Sequence, residues 1–402
     1  RGLSAAGTSI YDNPYWTSFN NPLQDKVNRV IGNFSVSYDP TSWLNFTWRP
    51  GLDFYSDFRK QYFAIYSASL SGGQVFEDQY FSKRWNSDLL ATIKHDITDE
   101  IGMNFSLGYN IREFRLDRLY SQGDGLVIPN FYDLSNASSV RSEATNDISR
   151  NQGFFGVLDL DYNDWLYISG TIRNEKDLSL PEDNNTYWYY SAGGSIVLTE
   201  ALGITNNPAL SFAKIRGSYG RVGLGTFAYS TATYFEQGDY ADGWTNGINF
   251  PFRGTSAFTF SDVLGNPNLR PEFRDSWEIG ADLRFLRNRV GLDVTYYNSV
   301  SKDIILSVPI TASSGFQNII QNAAQLSNKG FEIVLSATPV RTKNLSWDMM
   351  VNFTRNVNNV DQLADGVDQV FLGGFLGAST RAVVDVPYGS IFGFGFYKDA
   401  SG

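Results

Sequence analysis

The chain has 402 residues, of which 30 are Phe, 23 Tyr and 9 Trp, and 42% are hydrophobic, an apolar content that excludes a disordered polypeptide. Its 32 Lys and Arg are outweighed by 42 Asp and Glu, giving a net charge of -10, which opposes binding of nucleic acid by counterion release. Cysteine is absent and His95 is the single histidine, so disulfides, thiolate nucleophiles, Cys-based zinc and iron–sulfur sites and multi-histidine metal centres are excluded.

No G-x-S-x-G elbow accompanies the lone imidazole, and no catalytic residue, metal or cofactor is expected. No run of about 18 apolar residues marks a spanning helix. Arg1 to Gly7 lacks the apolar core of a signal peptide, so the chain is expected to begin after any export signal.

The informative period is two. Apolar side chains recur at alternate positions over about 10 residues, the length a tilted strand needs to cross a bilayer. The clearest case is Ile101, Met103, Phe105, Leu107, Tyr109 and Ile111, with Asn104, Ser106, Gly108, Asn110 and Arg112 between them. Trp277, Ile279, Ala281, Leu283 and Phe285 alternate with Glu278, Asp282 and Arg284, and Leu345, Trp347, Met349, Val351 and Phe353 alternate with Ser346, Asp348, Asn352 and Thr354. A helix would scatter these residues around its circumference.

Tight turns are expected at Asp39 to Ser42, Thr98 to Glu100, Asn163 to Asp164, Leu286 to Arg289 and Pro339 to Asn344, with an intermediate connection at Thr199 to Ser211. Between them lie long stretches read as loops: Tyr55 to Arg84, Glu113 to Gln152, Asn174 to Thr186, Val222 to Arg274, Ser301 to Ser327 and the region after Arg355. Short turns at one end and long loops at the other are the pattern of an outer-membrane barrel. A propeller would show a fixed repeat, and a sandwich rarely carries several connections of this size.

Trp43, Trp48, Trp85, Trp165, Tyr167 and Trp347 fall near strand ends, where aromatic girdles form. His95 shares the apolar parity of Trp85, Leu89, Ala91 and Ile93 beside a turn and reads as structural. Asp159, Asp161, Asn163 and Asp164 imitate a calcium loop, but Asp164 stands where glycine is required and Gly170 where a bidentate Glu is required. Gly220, Gly223, Gly225, Gly393 and Gly395 lack phosphate-loop order and read as relief of crowding where the chain bends or a plug meets the wall.

The binding candidates are aromatic loop residues. Phe227, Tyr229, Tyr234, Phe235, Tyr240 and Trp244, with Asp239, Asp242 and Asn246, combine flat apolar faces with hydrogen-bonding groups suited to sugars or peptide side chains. Phe131, Tyr132 and Asp133 form a second group. Tyr187, Trp188, Tyr189 and Tyr190 form a third, read as packing and girdle.

Lys214-Ile215-Arg216-Gly217-Ser218-Tyr219-Gly220, followed by Val222-Gly223, closely resembles a barrel-strand motif of the SusC/RagA family of TonB-dependent outer-membrane transporters. Phe155 to Tyr162 with Ile172-Arg173, Asn266-Pro267-Asn268-Leu269-Arg270-Pro271-Glu272, Asn328-Lys329-Gly330-Phe331-Glu332 and Pro387 to Gly393 resemble further segments of that family, in the right order. Asn174-Glu175-Lys176 and Gly223-Leu224 depart from its usual turns, Asp-Gly-Ser-like and Gly-Asn respectively.

The resemblance runs from about Val27 onward and implies an all-β, antiparallel transmembrane β-barrel, of which residues 1–402 are a partial TonB-dependent receptor domain. About twelve strands are expected, with one more between Val383 and Tyr397, against about 22 in a large plugged barrel. The plug, the TonB box and the closing aromatic strand are expected to lie outside this chain.

The resemblance further implies an outer-membrane location with the long loops extracellular, and active import of an oligosaccharide or peptide. It also implies a SusD-like surface lipoprotein, a TonB-ExbB-ExbD complex acting through the plug, and contact with outer-membrane lipid. A passive porin and a surface adhesion protein are the alternatives.

Overall fold

The computed structural model describes residues 12–68, 70–204, 207–238, 248, 250–375 and 377–395. The strands in chain order are β1 (Leu23–Asn33), β2 (Val36–Thr41), β3 (Leu44–Phe63), β4 (Gln74–Thr98), β5 (Ile101–Leu126), β6 (Ala137–Tyr162), β7 (Leu166–Asp177), β8 (Thr186–Val197) and β9 (Leu210–Leu224). They continue with β10 (Phe235–Gln237), β11 (Phe258–Phe260), β12 (Val263–Leu264), β13 (Glu272–Phe285), β14 (Val290–Pro309), β15 (Asn318–Arg341), β16 (Ser346–Leu363), β17 (Gln369–Phe375), β18 (Ala378–Val383) and β19 (Ser390–Gly393). Two short helices, α1 (Pro14–Asn20) and α2 (Leu198–Ala201), complete the regular elements with three single-turn 3-10 segments.

The chain forms two compact units: residues up to 37, 47–89 and 110–151 belong to the first, and 38–46, 90–109 and 152 onward to the second. In the first, neighbouring strands follow the order β1-β3-β4-β5-β6. β1 lies antiparallel to β3 from Leu23 opposite Gln61 to Asn33 opposite Gly51. One face of this unit is apolar, with Phe54 edge-on to Phe81 at 5.0 Å and the Trp48 indole N–H donating to the Ser87 hydroxyl at 2.9 Å.

Charged side chains mark the opposite face and the stretch of β5 and β6 beyond the apolar alternation. Arg29 pairs with Asp53, Arg118 with Asp78 and Arg150 with Glu113. Beyond the end of β3, the buried Asn21 carboxamide accepts the Ala64 N–H and bonds the Ser67 hydroxyl, and the Gly73 and Gly72 carbonyls accept the Gly125 and Leu126 N–H groups, so this connection is held by side-chain and backbone bonds together.

In the second unit the order runs β3-β4-β5-β6-β7-β8-β9-β13-β14-β15-β16. From β7 to β16 adjacent long strands pair antiparallel, and the short β12 lies parallel to β15. At the β6–β7 hairpin Asn163 and Asp164 take φ of 45° and 58°, the two left-handed positions of a tight hairpin whose twist matches that of its strands. At β13–β14, Leu286, Arg287 and Asn288 all have positive φ. The three short strands β17, β18 and β19 form a separate sheet, whose Val370 and Ala382 pack with Val360, Leu363 and Ala324.

Alternation sorts the side chains of the second unit cleanly. Leu107 and Ile172 both lie over Gly156, and Tyr109 meets Phe154 at 4.7 Å, which puts them on the parity of Met103 and Phe105. Tyr190 meets Tyr219, Tyr219 stands opposite Trp277 in register, Trp277 meets Tyr296, and Tyr296 meets Phe331 at 4.7 Å. This belt crosses β8, β9, β13, β14 and β15, roughly one bilayer crossing from the tight turns. Near those turns Tyr162 packs edge-on to Trp165, and Trp347 is exposed. A contiguous exposed apolar face bordered by aromatic rings is a surface built to be covered.

Several expectations need correction. Much of what reads as long loop is strand: β3 runs to Phe63, β4 starts at Gln74, β5 reaches Leu126, β6 starts at Ala137, β14 reaches Pro309 and β15 starts at Asn318. Beyond a bilayer both faces of a strand are wetted, so the ladder continues while the apolar alternation that reports it disappears. Tyr167 alternates with Ile168 and lies under the Lys214 ammonium at 6.0 Å, on the opposite face from Ile168 and Ile172. The strand expected between Val383 and Tyr397 is the four-residue β19 beside β18, within the small sheet. Gly223 makes room for the ring of Tyr187 on the neighbouring chain segment.

Candidate functional site

The connection between β9 and β13 carries most of the aromatic candidates, and its two roots are fixed in different ways. At the outgoing root the Asp177 carboxylate accepts the N–H and hydroxyl of Ser179 at 2.9 and 2.7 Å, and the Ser179 oxygen accepts the Thr226 N–H at 3.1 Å. At the returning root the Asn322 carboxamide brackets Arg270, accepting its N–H at 3.0 Å and donating to its carbonyl at 2.9 Å. Leu269, between these contacts, is fully buried against Leu180 and Tyr187.

Asn268 turns onto the Asn266 side chain, and Arg270 pairs with Asp303. These bonds explain why Asn266 to Glu272 is such a constrained segment: each polar residue closes a turn or clasps a neighbouring strand. Glu272, at the loop end of β13, accepts the Ile305 N–H at 2.7 Å. Burial raises its carboxyl above the usual range, and that hydrogen bond draws it partly back.

Between the roots β10 and β11 form a short antiparallel pair in which Phe235 stacks on Phe260, centroids 4.2 Å apart. Phe227, Tyr229, Tyr234 and Phe258 are exposed around it, and Tyr229 has a left-handed φ of 65°. Tyr240 and Trp244, with Asp239, Asp242 and Asn246, lie outside the described residues. The described part of this loop therefore offers an apolar, ring-rich surface on fixed roots.

Phe131 and Tyr132 belong to the first unit. Tyr132 stacks on Tyr62 with centroids 3.8 Å apart and planes 13° apart, so one face of its ring is already covered. The loop is shaped by Asn136, whose buried carboxamide bonds Ile128 and the Phe131 carbonyl, and by Asp133, which caps Ser135. The Ser135 hydroxyl and N–H hold the Asp133 carboxyl below its ordinary range. In the third group Tyr187 is buried, Tyr189 donates to Glu175, and Tyr190 joins the belt.

The sequence reading missed a polar wall on the first unit. The Arg59 and Arg118 guanidiniums lie 4.6 and 5.2 Å from the centroid of Tyr80, and Arg118 is also 5.3 Å from that of Tyr120. Asp57 pairs with Arg59, and Asp78 takes both Arg118 nitrogens at 2.8 Å and the Tyr80 hydroxyl at 2.9 Å. Gln122 links Tyr120, Arg141 and Asp124, and Gln74 completes the chain. The available signal was charged and aromatic residues two apart, Asp57 with Arg59, Asp78 with Tyr80 and Arg118 with Tyr120, inside stretches read as loop.

The Lys214 to Gly220 motif also acquires a physical reason. Arg216 on β9 reaches past β13 to Asp293 on β14, at 2.9 and 2.8 Å, and to the Thr295 hydroxyl at 2.7 Å. It passes directly over Gly280, where an added Cβ would stand 2.9 Å from Arg216 Nε.

A family model, "TonB dependent receptor-like, beta-barrel", matches residues 1–393. TonB-dependent receptor P26 of Formosa agariphila is 27% identical over 92% of this chain and 37% of its own length. TonB-dependent receptor SusC of Bacteroides thetaiotaomicron is 24% identical over 90% of this chain and likewise 37% of its own length. The chain thus spans little more than a third of either relative. Among solved structures, the RagAB peptide transporter superposes with a TM-score of 0.79 at 20% identity, covering 93% of this chain and 40% of that one. The chain belongs to the TonB-dependent receptor-like β-barrel family, of SusC/RagA type, whose members are antiparallel barrels of the outer membrane.

Proposed function

We propose that residues 1–402 are the wall and loop part of an importer that takes up an oligosaccharide or peptide across the outer membrane, driven by TonB-ExbB-ExbD through a plug and capped by a SusD-like lipoprotein. Family membership supports transport, the RagAB peptide transporter supports the peptide class, and the aromatic and hydrogen-bonding loop residues support the oligosaccharide class equally. The observation that carries the reading is the β9–β13 connection: exposed Tyr229, Tyr234 and Phe235 are held on roots fixed by Asp177, Ser179 and Asn322. Rigid aromatic anchors on a fixed scaffold suit binding better than a mobile loop, because less order is lost on capture.

Tyr240 and Trp244 are proposed as further contacts from the same connection, and Phe131 and Tyr132 are proposed as contacts contributed by the first unit. The test is growth on defined glycans and peptides with and without the gene, followed by a Tyr234→Ala/Phe235→Ala variant. Loss of growth on one substrate after deletion, and an uptake defect of about ten-fold in the variant, are expected. Unchanged uptake after deletion overturns the proposal.

A further inference from the structure

We infer that the wall centred on Tyr80 is a subsite for an uncharged, hydroxyl-rich chain, that is, a neutral oligosaccharide. The inference rests on the import reading and narrows its substrate class.

The physical basis is the pairing state of the charges. Arg118 is bound by Asp78 through two parallel hydrogen bonds of 2.8 Å, and Arg59 donates from Nε to Asp57 at 2.9 Å. Arg141 is tied to Gln122, which is tied in turn to Asp124. Two of the three guanidiniums thus meet a carboxylate directly, the third meets the Gln122 amide oxygen, and Glu143 adds a further negative charge near Arg118. At Arg59 and Arg118 an anionic ligand would have to displace Asp57 or Asp78, leaving a carboxylate uncompensated, and a cationic one would strip those arginines in the same way.

A hydroxyl both donates and accepts. It can therefore bridge an existing guanidinium–carboxylate pair without breaking it. The groups are within reach: the Arg59 and Arg118 side chains remain 46% and 39% exposed despite their partners. The stack of Arg59, Tyr80, Arg118 and Tyr120 supplies flat surface beside those polar edges, the mixture that sugar rings require.

Peptide capture by strand addition is unsuited to this wall. β3, β4 and β5 each have neighbours on both sides, so no free ladder edge is presented there.

The test uses the full-length protein purified in detergent and titrated calorimetrically with four pools: malto-, xylo- and fructo-oligosaccharides, and oligouronates. A tryptic casein digest is a fifth titrant. An Asp78→Asn/Arg118→Gln variant removes both charges of one pair together, and Tyr80→Leu removes the ring while leaving the ion pairs. Folding is verified for each by heat-modifiable gel mobility, and Tyr80→Leu carries the test if the double variant does not fold.

Binding of at least one neutral pool, weakened by about ten-fold in either variant, is expected. Binding of oligouronates or peptides alone, binding of no pool, or neutral-pool binding equal in parent and variants overturns the inference. Peptide uptake without neutral-sugar binding would sink this inference and leave import standing. Neutral-sugar binding that the variants weaken, without any uptake defect on gene deletion, would do the reverse.

Discussion

Arg216 bonds to a strand two places away because position 280 carries no side chain. The same device recurs at Gly330, where the Tyr297 hydroxyl crosses to the Asn356 carboxamide at 2.7 Å and a Cβ would meet Tyr297 Oη at 2.6 Å. Gly280→Val should lift Arg216 off Asp293 and cost about 1–3 kcal/mol by overpacking. Chemical unfolding followed by tryptophan fluorescence should show that cost, and it should shrink markedly in an Arg216→Ala background, because the two side chains compete for one space. Full additivity would contradict this.

Glu272 yields a pH-dependent expectation at the same scale. Its carboxyl is raised by burial, so the folded loop root holds the proton more tightly than the unfolded chain does. The stability associated with that proton is complete below the ordinary glutamate value of 4.5 and is lost as pH rises through the folded value. Glu272→Gln keeps an oxygen for the Ile305 N–H and removes the titration. Hydrogen exchange at Ile305 should therefore speed up with pH more steeply in the parent than in the variant, after correction for intrinsic exchange. Parallel profiles would contradict the assignment.

The residues that carry these effects were only partly legible. The Lys214 to Gly220 motif and Asn266 to Glu272 stood out as strings. Their partners Asp293, Gly280 and Asn322 lie on other strands, and nothing in linear spacing identifies which strand neighbours which.

At the scale of elements, the returning root of the β9–β13 connection is fastened through Asn322 and the buried Leu269. Asn322→Ala removes both hydrogen bonds to Arg270 and leaves the Asp303 carbonyl without that donor. Limited proteolysis should cut within 225–271 several-fold faster in this variant, while the hairpins at the tight turns stay resistant. Leu269→Ala, at a fully buried position, should cost about 2–5 kcal/mol and open the same segment. Equal cleavage in parent and variants would show that the roots are not what fixes the loop.

Element boundaries were the least readable feature. Ile101 to Ile111 was recognisable because one of its faces is apolar, whereas Arg112 to Leu126 continues as strand with charges on both faces and aromatic rings on one. Cross-strand pairs such as Arg150 with Glu113 and Ser121 with Ser142 hold that extension, and they have no signature in the sequence of either strand alone. The polar wall around Tyr80 was hidden for the same reason.

For the whole molecule, the all-β antiparallel class followed from alternation and turn spacing, because a two-residue period sorts side chains between two environments whatever the register. The belt from Tyr190 to Phe331 then fixes which environment each face meets. Rings at the headgroup level, apolar residues between the belt and the tight turns, and ion pairs on the other face describe one stave after another of a membrane wall. Backbone groups in hydrocarbon require partners, and adjacent ladders supply them along β7, β8, β9, β13, β14 and β15.

The most direct measurement introduces single cysteines into strands that carry none of their own, in a background cleared of any cysteine elsewhere in the protein. Single cysteines placed at Leu107, Phe154, Ile172 and Ile279, and at Ser106, Thr171 and Glu278, can be labelled with a fluorophore in the full-length protein reconstituted into vesicles containing spin-labelled lipid. Quenching by the lipid label is predicted at the first four positions, and quenching by a water-soluble agent at the other three, with alternation between adjacent residues 106 and 107 and between 171 and 172. Lipid quenching at Ser106 and Thr171 with aqueous quenching at Leu107 and Ile172, or no alternation at all, would contradict the assignment of the apolar face to the bilayer.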